Sequence, residues 1–189
     1  MSLTREKILE LGEELILRRG YNAFSYQDIS SELGIKNAAV HYYFPSKENL
    51  GTSIVKNNIL RFEEMVDNLK TREFDEWGQL EAFFKFYTKS NRADKICILG
   101  SLGSEFQSLS ESTKKELQKM TAMIIDWLSI VLDNGREKAL FKFDGEPKYR
   151  ALIILTSMIA GLQLARVMGK SDFRAIHLQL LEDLKPQKP

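Results

Sequence analysis

The chain has 189 residues, of which 43% are hydrophobic and 28% are charged, close to ordinary globular usage. This composition excludes a collagen-like, mucin-like or wholly disordered protein. The formal net charge of +1 excludes a polybasic coat for nucleic acid, although a local DNA site needs only a few well-placed cations. One cysteine and an N-terminus without an apolar signal core predict a protein of the reducing cytoplasm.

Apolar residues at helical spacing and well-placed capping residues predict an all-α chain of about nine helices, without strands or internal repeats. Three short helices open the chain and a long helix follows them. The predicted boundaries in this half are a first helix from Thr4 to Arg19, a second between a Ser25–Asp28 capping box and Gly34, a third over 37–43, and a fourth from a Ser46 cap to Lys70.

The second half of the chain reads as longer helices separated by turns. A fifth helix, marked by Trp77 and Tyr87, is unusually aromatic on one side. A short helical stretch and a long helix capped near Ser110 follow it. Pro147 suits the first position of the next helix, which reaches Met168, and Ser171 is the expected cap of a last helix that ends before Pro186.

The second and third helices form a helix-turn-helix pattern. Ile29 and Leu33 on the one must pack against Ile35 and Val40 around the other, and Gly34 permits the left-handed turn between them. The first turn of the second helix of such a motif enters the major groove. Here that turn carries Lys36, Asn37, Ala38 and Ala39, in a segment with no acidic residue between Glu32 and Glu48.

These side chains suit base recognition. Lys36 can donate to guanine, and Asn37 can pair with the major-groove edge of adenine. Ala38 is small enough for close approach and can contact a thymine methyl. Phe44 is expected in the core, Tyr43 is expected to face DNA, and Tyr42 and His41 are open between a DNA role and an ordinary packed or surface role.

The stretch Phe24 to Leu50, FSYQDISSELGIKNAAVHYYFPSKENL, resembles the N-terminal domain of TetR-family transcriptional regulators. The resemblance implies a DNA-binding domain over residues 1–47 and a helical effector-binding and dimerisation domain over 48–189. It also implies a pseudo-palindromic duplex operator, with repressors the commoner case and activation left open. The DNA-binding residues that motif and resemblance together give are Ser25, Tyr26, Gln27, Lys36, Asn37, Ala38, His41, Tyr42, Tyr43 and Lys47.

The resemblance further implies a pocket for a small-molecule effector in the second half. Bulky aromatic and methionine side chains pack irregularly and can leave a cavity between them, although such residues most often simply form the core. Such a cavity favours a largely apolar ligand. The candidate lining residues are Phe83, Phe84, Tyr87, Phe106, Met123, Trp127 and Gln163.

A homodimer is expected from the last two helices. The uncharged stretch Ala151–Ala165 is too short to span a membrane, and a buried or partner-facing helix is the better interpretation. Two such helices from each subunit would make a four-helix interface. The apolar stripes predicted to form it are Leu152, Leu155, Ile159 and Leu162 on one helix and Ile176, Leu180 and Leu184 on the other.

Two other classes of function fit the sequence less well. A di-iron helical enzyme needs Glu-x-x-His pairs, but Ala38 and Arg174 stand three residues before His41 and His177. We therefore expect no catalytic residue, no metal and no cofactor. A purely structural dimerisation module leaves the acid-free segment unexplained.

Overall fold

A computed structural model describes residues 3–186, which fold into helices joined by turns, with no β-strand among them. The prediction of an all-α fold with nine helices is confirmed for these residues. A short 3-10 helix, Phe106–Ser108, lies between the sixth and seventh. The α-helices are α1 (Leu3–Arg19), α2 (Tyr26–Leu33), α3 (Asn37–Tyr43), α4 (Lys47–Thr71), α5 (Glu76–Arg92), α6 (Ile98–Ser104), α7 (Glu111–Glu137), α8 (Pro147–Met168) and α9 (Ser171–Glu182).

Local sequence signals fix the geometry of α2. The Ser25 hydroxyl accepts from the backbone N–H of Asp28 at 3.4 Å, and the Asp28 carboxylate accepts from the N–H of Ser25 at 2.7 Å, which completes the predicted capping box. At the other end Gly34 has φ 64° and ψ 32°, a left-handed conformation that costs other residues free energy. The start and the end of α2 are therefore both set by its own sequence.

The caps predicted for other helices agree with the structure in some cases and not in others. The Ser46 hydroxyl accepts from the N–H of Asn49 at 3.2 Å, and Pro147 is the first residue of α8, both as predicted. The predicted cap at Ser171 is wrong, because Lys170 already has helical φ and ψ and makes no side-chain capping bond. Thr4 is also not a cap, since α1 begins at Leu3.

The described chain forms two compact units. The first contains the residues up to Glu63 together with Ile98–Met120. Its core is made of fully buried side chains that join α1 to α4, each worth about 1.5–3 kcal/mol when removed from water. The boundary predicted after residue 47 falls at the start of α4, inside this unit, and stays a prediction. The fully buried core residues of this unit include Ile8, Ile16, Ile29, Val40, Leu50 and Ile54.

A charged contact also ties α1 to α4 within the first unit. The carboxylate of Glu13, which is buried, accepts from the guanidinium of Arg61 at 2.5 Å and from the side-chain amide of Asn58 at 3.1 Å. A buried carboxylate is costly unless it is paired and hydrogen-bonded. Glu13 meets both conditions.

The second unit contains Glu64–Cys97 and the residues from Thr121 onward. Phe84 on α5, Leu128 on α7 and Met158 on α8 are fully buried in its core. Phe173 of α9 packs against α8 so closely that a Cβ at Gly161 would lie 3.2 Å from its ring. The helices α5, α7, α8 and α9 thus supply one apolar core.

One described helix, α8, is long and apolar enough to cross a membrane by length and composition alone. It has 22 residues and is therefore longer than the uncharged stretch recognised in the sequence. The buried share of its most apolar window is 39%. A core helix of a soluble protein passes the same test, so this single helix is weak evidence for a membrane span.

Candidate nucleic-acid interface

The first turn of α3 projects into solvent. Lys36, Asn37 and Ala38 are all exposed, whereas Val40, on the next turn, is fully buried within the head, the bundle of α1, α2 and α3. Because α3 has only seven residues, its orientation depends on that buried side and on the turn at Gly34. The three exposed side chains therefore lie next to one another at the start of a helix with a fixed position.

The aromatic end of α3 divides into exposed and buried residues. Tyr42 is 80% exposed and its ring meets that of Tyr43 edge to face, with centroids 5.1 Å apart. His41 is exposed, with Nδ1 3.3 Å from the carbonyl oxygen of Pro45. Phe44 is buried, as predicted. Exposed rings with polar atoms at this end are available to phosphates.

Two residues at the start of α2 carry exposed polar side chains. Ser25 and Gln27 are exposed, but the Ser25 hydroxyl donates to the Asp28 carboxylate at 2.6 Å. The hydrogen bonds from Ser25 hold the pKa of Asp28 below its usual value, so this carboxylate is ionised. Gln27 donates to the hydroxyl of Ser31 at 3.1 Å. This bond holds the Gln27 side chain along the exposed face of α2.

The assignment of Tyr26 to direct DNA contact needs correction. Its side chain is buried, and its hydroxyl donates to the backbone carbonyl of Phe44 at 2.9 Å. Its ring also packs against that of His41, with centroids 4.8 Å apart. Burial raises the pKa of Tyr26 well above its usual value. Tyr26 therefore joins the start of α2 to the end of α3 instead of facing DNA.

The side chain of Lys47, which the resemblance assigns to DNA binding, makes its contacts within the protein instead. Its ammonium donates to the backbone carbonyl of Phe24 and lies over two rings, 4.2 Å from the centroid of Phe24 and 5.0 Å from that of Tyr21. Burial lowers the pKa of this amine, against the attraction of Glu105 and Asp28. The side chain is directed into the head, which is unlike the exposed phosphate contact that the sequence suggested.

Sequence reasoning missed a further cation at this surface. The guanidinium of Arg5, on α1, lies 5.1 Å from the ring centroid of Phe44 at the end of α3. Cation–π contact of this kind fixes a positive charge beside the aromatic segment. No local motif marks Arg5, because only the fold brings the start of α1 to this place.

The predicted effector residues are mostly gathered on α5 and α7 of the second unit. The ring of Phe83 lies 6.0 Å from Phe84, 5.1 Å from Tyr87 and 6.0 Å from Trp127, measured between centroids. All four are buried, and Met123 is half-buried one turn before the tryptophan.

Two other predicted effector residues lie elsewhere. Gln163 is exposed on α8, and Phe106 belongs to the first unit, where the ammonium of Lys114 lies 5.8 Å from its ring centroid. The candidate effector region is therefore carried by the α5 and α7 aromatics.

The residues of the predicted dimer stripes divide between buried and half-buried positions, and Leu184 lies just after the end of α9. Leu155 and Leu162 are 2% exposed and Leu184 is fully buried, so these three belong to the core of the second unit. The remaining predicted residues, Leu152, Ile159, Ile176 and Leu180, are half-buried. The exposed apolar side chains of α8 and α9 are instead Tyr149, Ile153, Leu164, Val167, Met168 and Leu178.

Fold and surface together define a helix-turn-helix DNA-binding protein. Residues 8–52 match the family of bacterial regulatory proteins described as the tetR family. The structure is similar to that of a TetR transcriptional regulator from Legionella pneumophila, at 31% identity and a TM-score of 0.87, with 98% of this chain and 99% of that chain covered. It is also similar to a TetR-family regulator from Agrobacterium tumefaciens, at 30% identity and a TM-score of 0.90, with 97% and 98% covered.

A curated relative is the HTH-type transcriptional repressor NemR of Escherichia coli. It is 25% identical over 155 residues, which cover 80% of this chain and 78% of that protein. The chain belongs to the TetR family of transcriptional regulators. These relatives are transcriptional regulators by name, in agreement with a DNA-binding function.

Proposed function

We propose that this protein is a homodimeric repressor that binds a pseudo-palindromic operator through α3 and releases it when a small, largely apolar molecule binds the second unit. The observation that carries the DNA-binding role is the exposed group of Lys36, Asn37 and Ala38 at the start of α3. The capping box of α2 and the turn at Gly34 hold this group in place. A base-reading surface needs that combination of exposure and fixed direction.

The chemistry of the group supports sequence-specific contacts. An ammonium can donate to guanine O6 and N7, and a carboxamide can pair with adenine N7 and N6. Other residues of the helix-turn-helix motif carry polar groups suited to phosphates. They are Ser25, Gln27, His41, Tyr42 and Tyr43. Arg5 adds a cation beside Phe44, near the end of α3.

Dimerisation supports the operator symmetry. Two identical heads read half-sites separated by about one helical turn of DNA or a multiple of it. The exposed apolar residues of α8 and α9 are suited to a two-fold interface, because burying them against a second copy would remove apolar surface from water. Val167, at 85% exposure, is the most exposed of these side chains.

The test of DNA binding is selection of duplexes from a random library with the purified protein. We expect a pseudo-palindromic consensus, and binding that weakens steeply as salt is raised, since phosphate contacts release counterions. Equal affinity for selected and scrambled duplexes would contradict the proposal.

Repression and a cytoplasmic location extend the assignment. The relative NemR is named a repressor, and a regulator of this kind works where the DNA is. A reporter gene placed behind the selected operator tests the direction of control. Lower reporter output with the protein than without it is expected, and higher output would indicate an activator.

The aromatic cluster of Phe83, Phe84, Tyr87 and Trp127 supports an apolar effector. A ligand that binds better to a state with wrongly spaced heads weakens DNA binding by its differential affinity. Coupling is reciprocal, so a ligand that weakens DNA binding tenfold itself binds the DNA complex tenfold more weakly, about 1.4 kcal/mol.

The effector experiment uses the two tryptophans of the chain. A Trp77→Phe variant leaves Trp127 as the single reporter, and hydrophobic metabolites are screened for a rise in melting temperature and a change in its fluorescence. Each hit is then tested in competition with the operator. Trp127→Phe should alter the ligand response more than the operator affinity. Hits that stabilise the protein and never change DNA affinity would contradict an inducer role.

A further inference from the structure

A carboxylate from a distant part of the chain closes the loop between α1 and α2. Glu105, which follows α6, accepts from the backbone N–H of Tyr21 at 2.7 Å with one oxygen and from the N–H of Asn22 at 2.9 Å with the other. Hydrogen bonds to an ionised group are stronger than neutral ones. Both oxygens of this side chain are thus committed to a single turn of backbone.

The loop is shaped to receive that carboxylate. Gly20 has φ +99°, a conformation that other residues rarely adopt, and a Cβ at this position would lie 2.8 Å from Oε1 of Glu105. The side-chain amide of Asn22 donates to the hydroxyl of Ser108 at 2.9 Å, and that hydroxyl donates to the backbone carbonyl of Glu105 at 2.8 Å. Conformation, space and hydrogen bonds all match at one place.

A second contact fixes the same segment to α1. The buried hydroxyl of Ser101 donates to the backbone carbonyl of Ile16 at 3.0 Å, in the last turn of α1. We call residues 101–108 the brace, since they bind both the end of α1 and the loop after it. All of these contacts lie within the first unit.

The loop held by the brace leads directly into α2, the first helix of the helix-turn-helix motif. Tyr21 and Phe24 place their rings around the ammonium of Lys47, which in turn donates to the carbonyl of Phe24. The next residue, Ser25, is the cap of α2. The position of the loop therefore sets where α2 begins, and through the turn at Gly34 where α3 points.

We propose that Glu105 is a positioning residue for DNA binding, whose carboxylate holds the loop between α1 and α2 so that α3 presents its first turn in one orientation. Glu105 lies more than sixty positions after α3 in the sequence and outside the helix-turn-helix motif. The inference rests on the proposed operator binding for its functional consequence, while the loop can be tested without DNA.

The test compares Glu105→Gln with the wild-type protein. A carboxamide has nearly the same shape but only one oxygen, so one of the two N–H groups faces an NH₂ and loses its acceptor. We expect amide hydrogen exchange to accelerate by at least about tenfold at Tyr21 or Asn22, whichever N–H loses its acceptor, and operator affinity to fall by at least about tenfold. Discrimination between selected and scrambled duplexes should shrink, which a loss of folded protein would not cause.

Two control variants separate positioning from general damage. Glu111→Gln removes an exposed carboxylate that pairs with Lys114 in the same unit, and should leave exchange at the loop and operator affinity unchanged. Asn22→Ala removes the amide bonded to Ser108 but keeps the backbone N–H on Glu105, and should retain slow exchange at both positions. Unchanged exchange in Glu105→Gln would overturn the proposal, as would faster exchange with unaltered operator affinity.

The two proposals can fail separately. If wild-type protein selects no duplex, the operator function fails, but the exchange measurement still reports whether Glu105 orders the loop. If wild-type protein binds its operator and Glu105→Gln binds it equally well at equal folded fraction, only the positioning role is overturned.

Discussion

The hydroxyl of Tyr26, at the start of α2, donates a hydrogen bond to the backbone carbonyl of Phe44, at the end of α3, over 2.9 Å. The bond is buried and spans the whole helix-turn-helix motif. Tyr26→Phe leaves the carbonyl without this donor in a buried place, which should cost about 1–3 kcal/mol of unfolding free energy. Chemical denaturation followed by circular dichroism measures it.

The matched control for this change is Tyr42→Phe. It removes the same hydroxyl from a ring that is exposed in the same motif, so the free energy of unfolding should stay within about 0.5 kcal/mol of wild type. If the two substitutions lowered the free energy of unfolding equally, the buried hydrogen bond of Tyr26 would not contribute to stability beyond the loss of a hydroxyl.

Base recognition is tested at Lys36 and Asn37. Either substitution by alanine should weaken operator binding by about 1–3 kcal/mol and relax preference at particular base pairs. Lys148→Ala removes one positive charge from an exposed position in the second unit and serves as the control for net charge. Binding assays on single-base operator variants would reveal the loss of preference, and unchanged affinity for every duplex would exclude Lys36 from the groove.

Lys47 distinguishes a role inside the head from a phosphate contact. Lys47→Met keeps an apolar stem against the rings of Tyr21 and Phe24 but removes the charge and the bond to the Phe24 carbonyl. We expect the unfolding free energy to fall by about 1 kcal/mol. The dependence of operator binding on salt should keep its slope, whereas loss of a phosphate contact would reduce that slope by about 1.

The proposed dimer surface is tested by placing a charge on the exposed side of α8. Val167→Glu should shift the dimer toward monomer, because an interface core does not accommodate an unpaired carboxylate. Leu60→Glu introduces the same charge at an exposed leucine of α4 and should leave the dimer intact. Sedimentation at micromolar concentration measures both, and a wild-type monomer would contradict the interface.

His177 makes stability depend on pH. Its ring stacks on Phe84 with centroids 4.7 Å apart, and desolvation lowers its pKa from 6.5, although Glu81 acts in the opposite direction. Because the pKa is lowered in the folded state, the unfolded chain binds the proton more readily. The contribution of His177 to the free energy of unfolding is therefore fully present above pH 6.5 and is lost as pH falls below that value. His177→Gln should flatten this part of the denaturation profile, and an unchanged slope would assign the pH dependence to other groups.

Much of the head could be predicted because its signals are local. Ser25 and Asp28 are three residues apart and cap one helix, and Gly34 supplies its own turn conformation, so neither depends on distant packing. The exposed face of α8 could not be predicted in the same way. Leu155 and Ile153 are both apolar, and on a helix that is apolar on most sides periodicity does not distinguish the core side from the exposed side.

The sequence by itself determined the nine helices of residues 3–186, the helix-turn-helix motif and the family, since each rests on residues close together in the chain. Tertiary structure alone decided which side chains remain available for binding. Tyr26 and Lys47 lie in the DNA-binding motif, yet their polar atoms bond to backbone carbonyls that packing brings near. The position of Glu105 on the loop after α1 was likewise decided only by folding, because no local pattern encodes a contact across more than eighty residues.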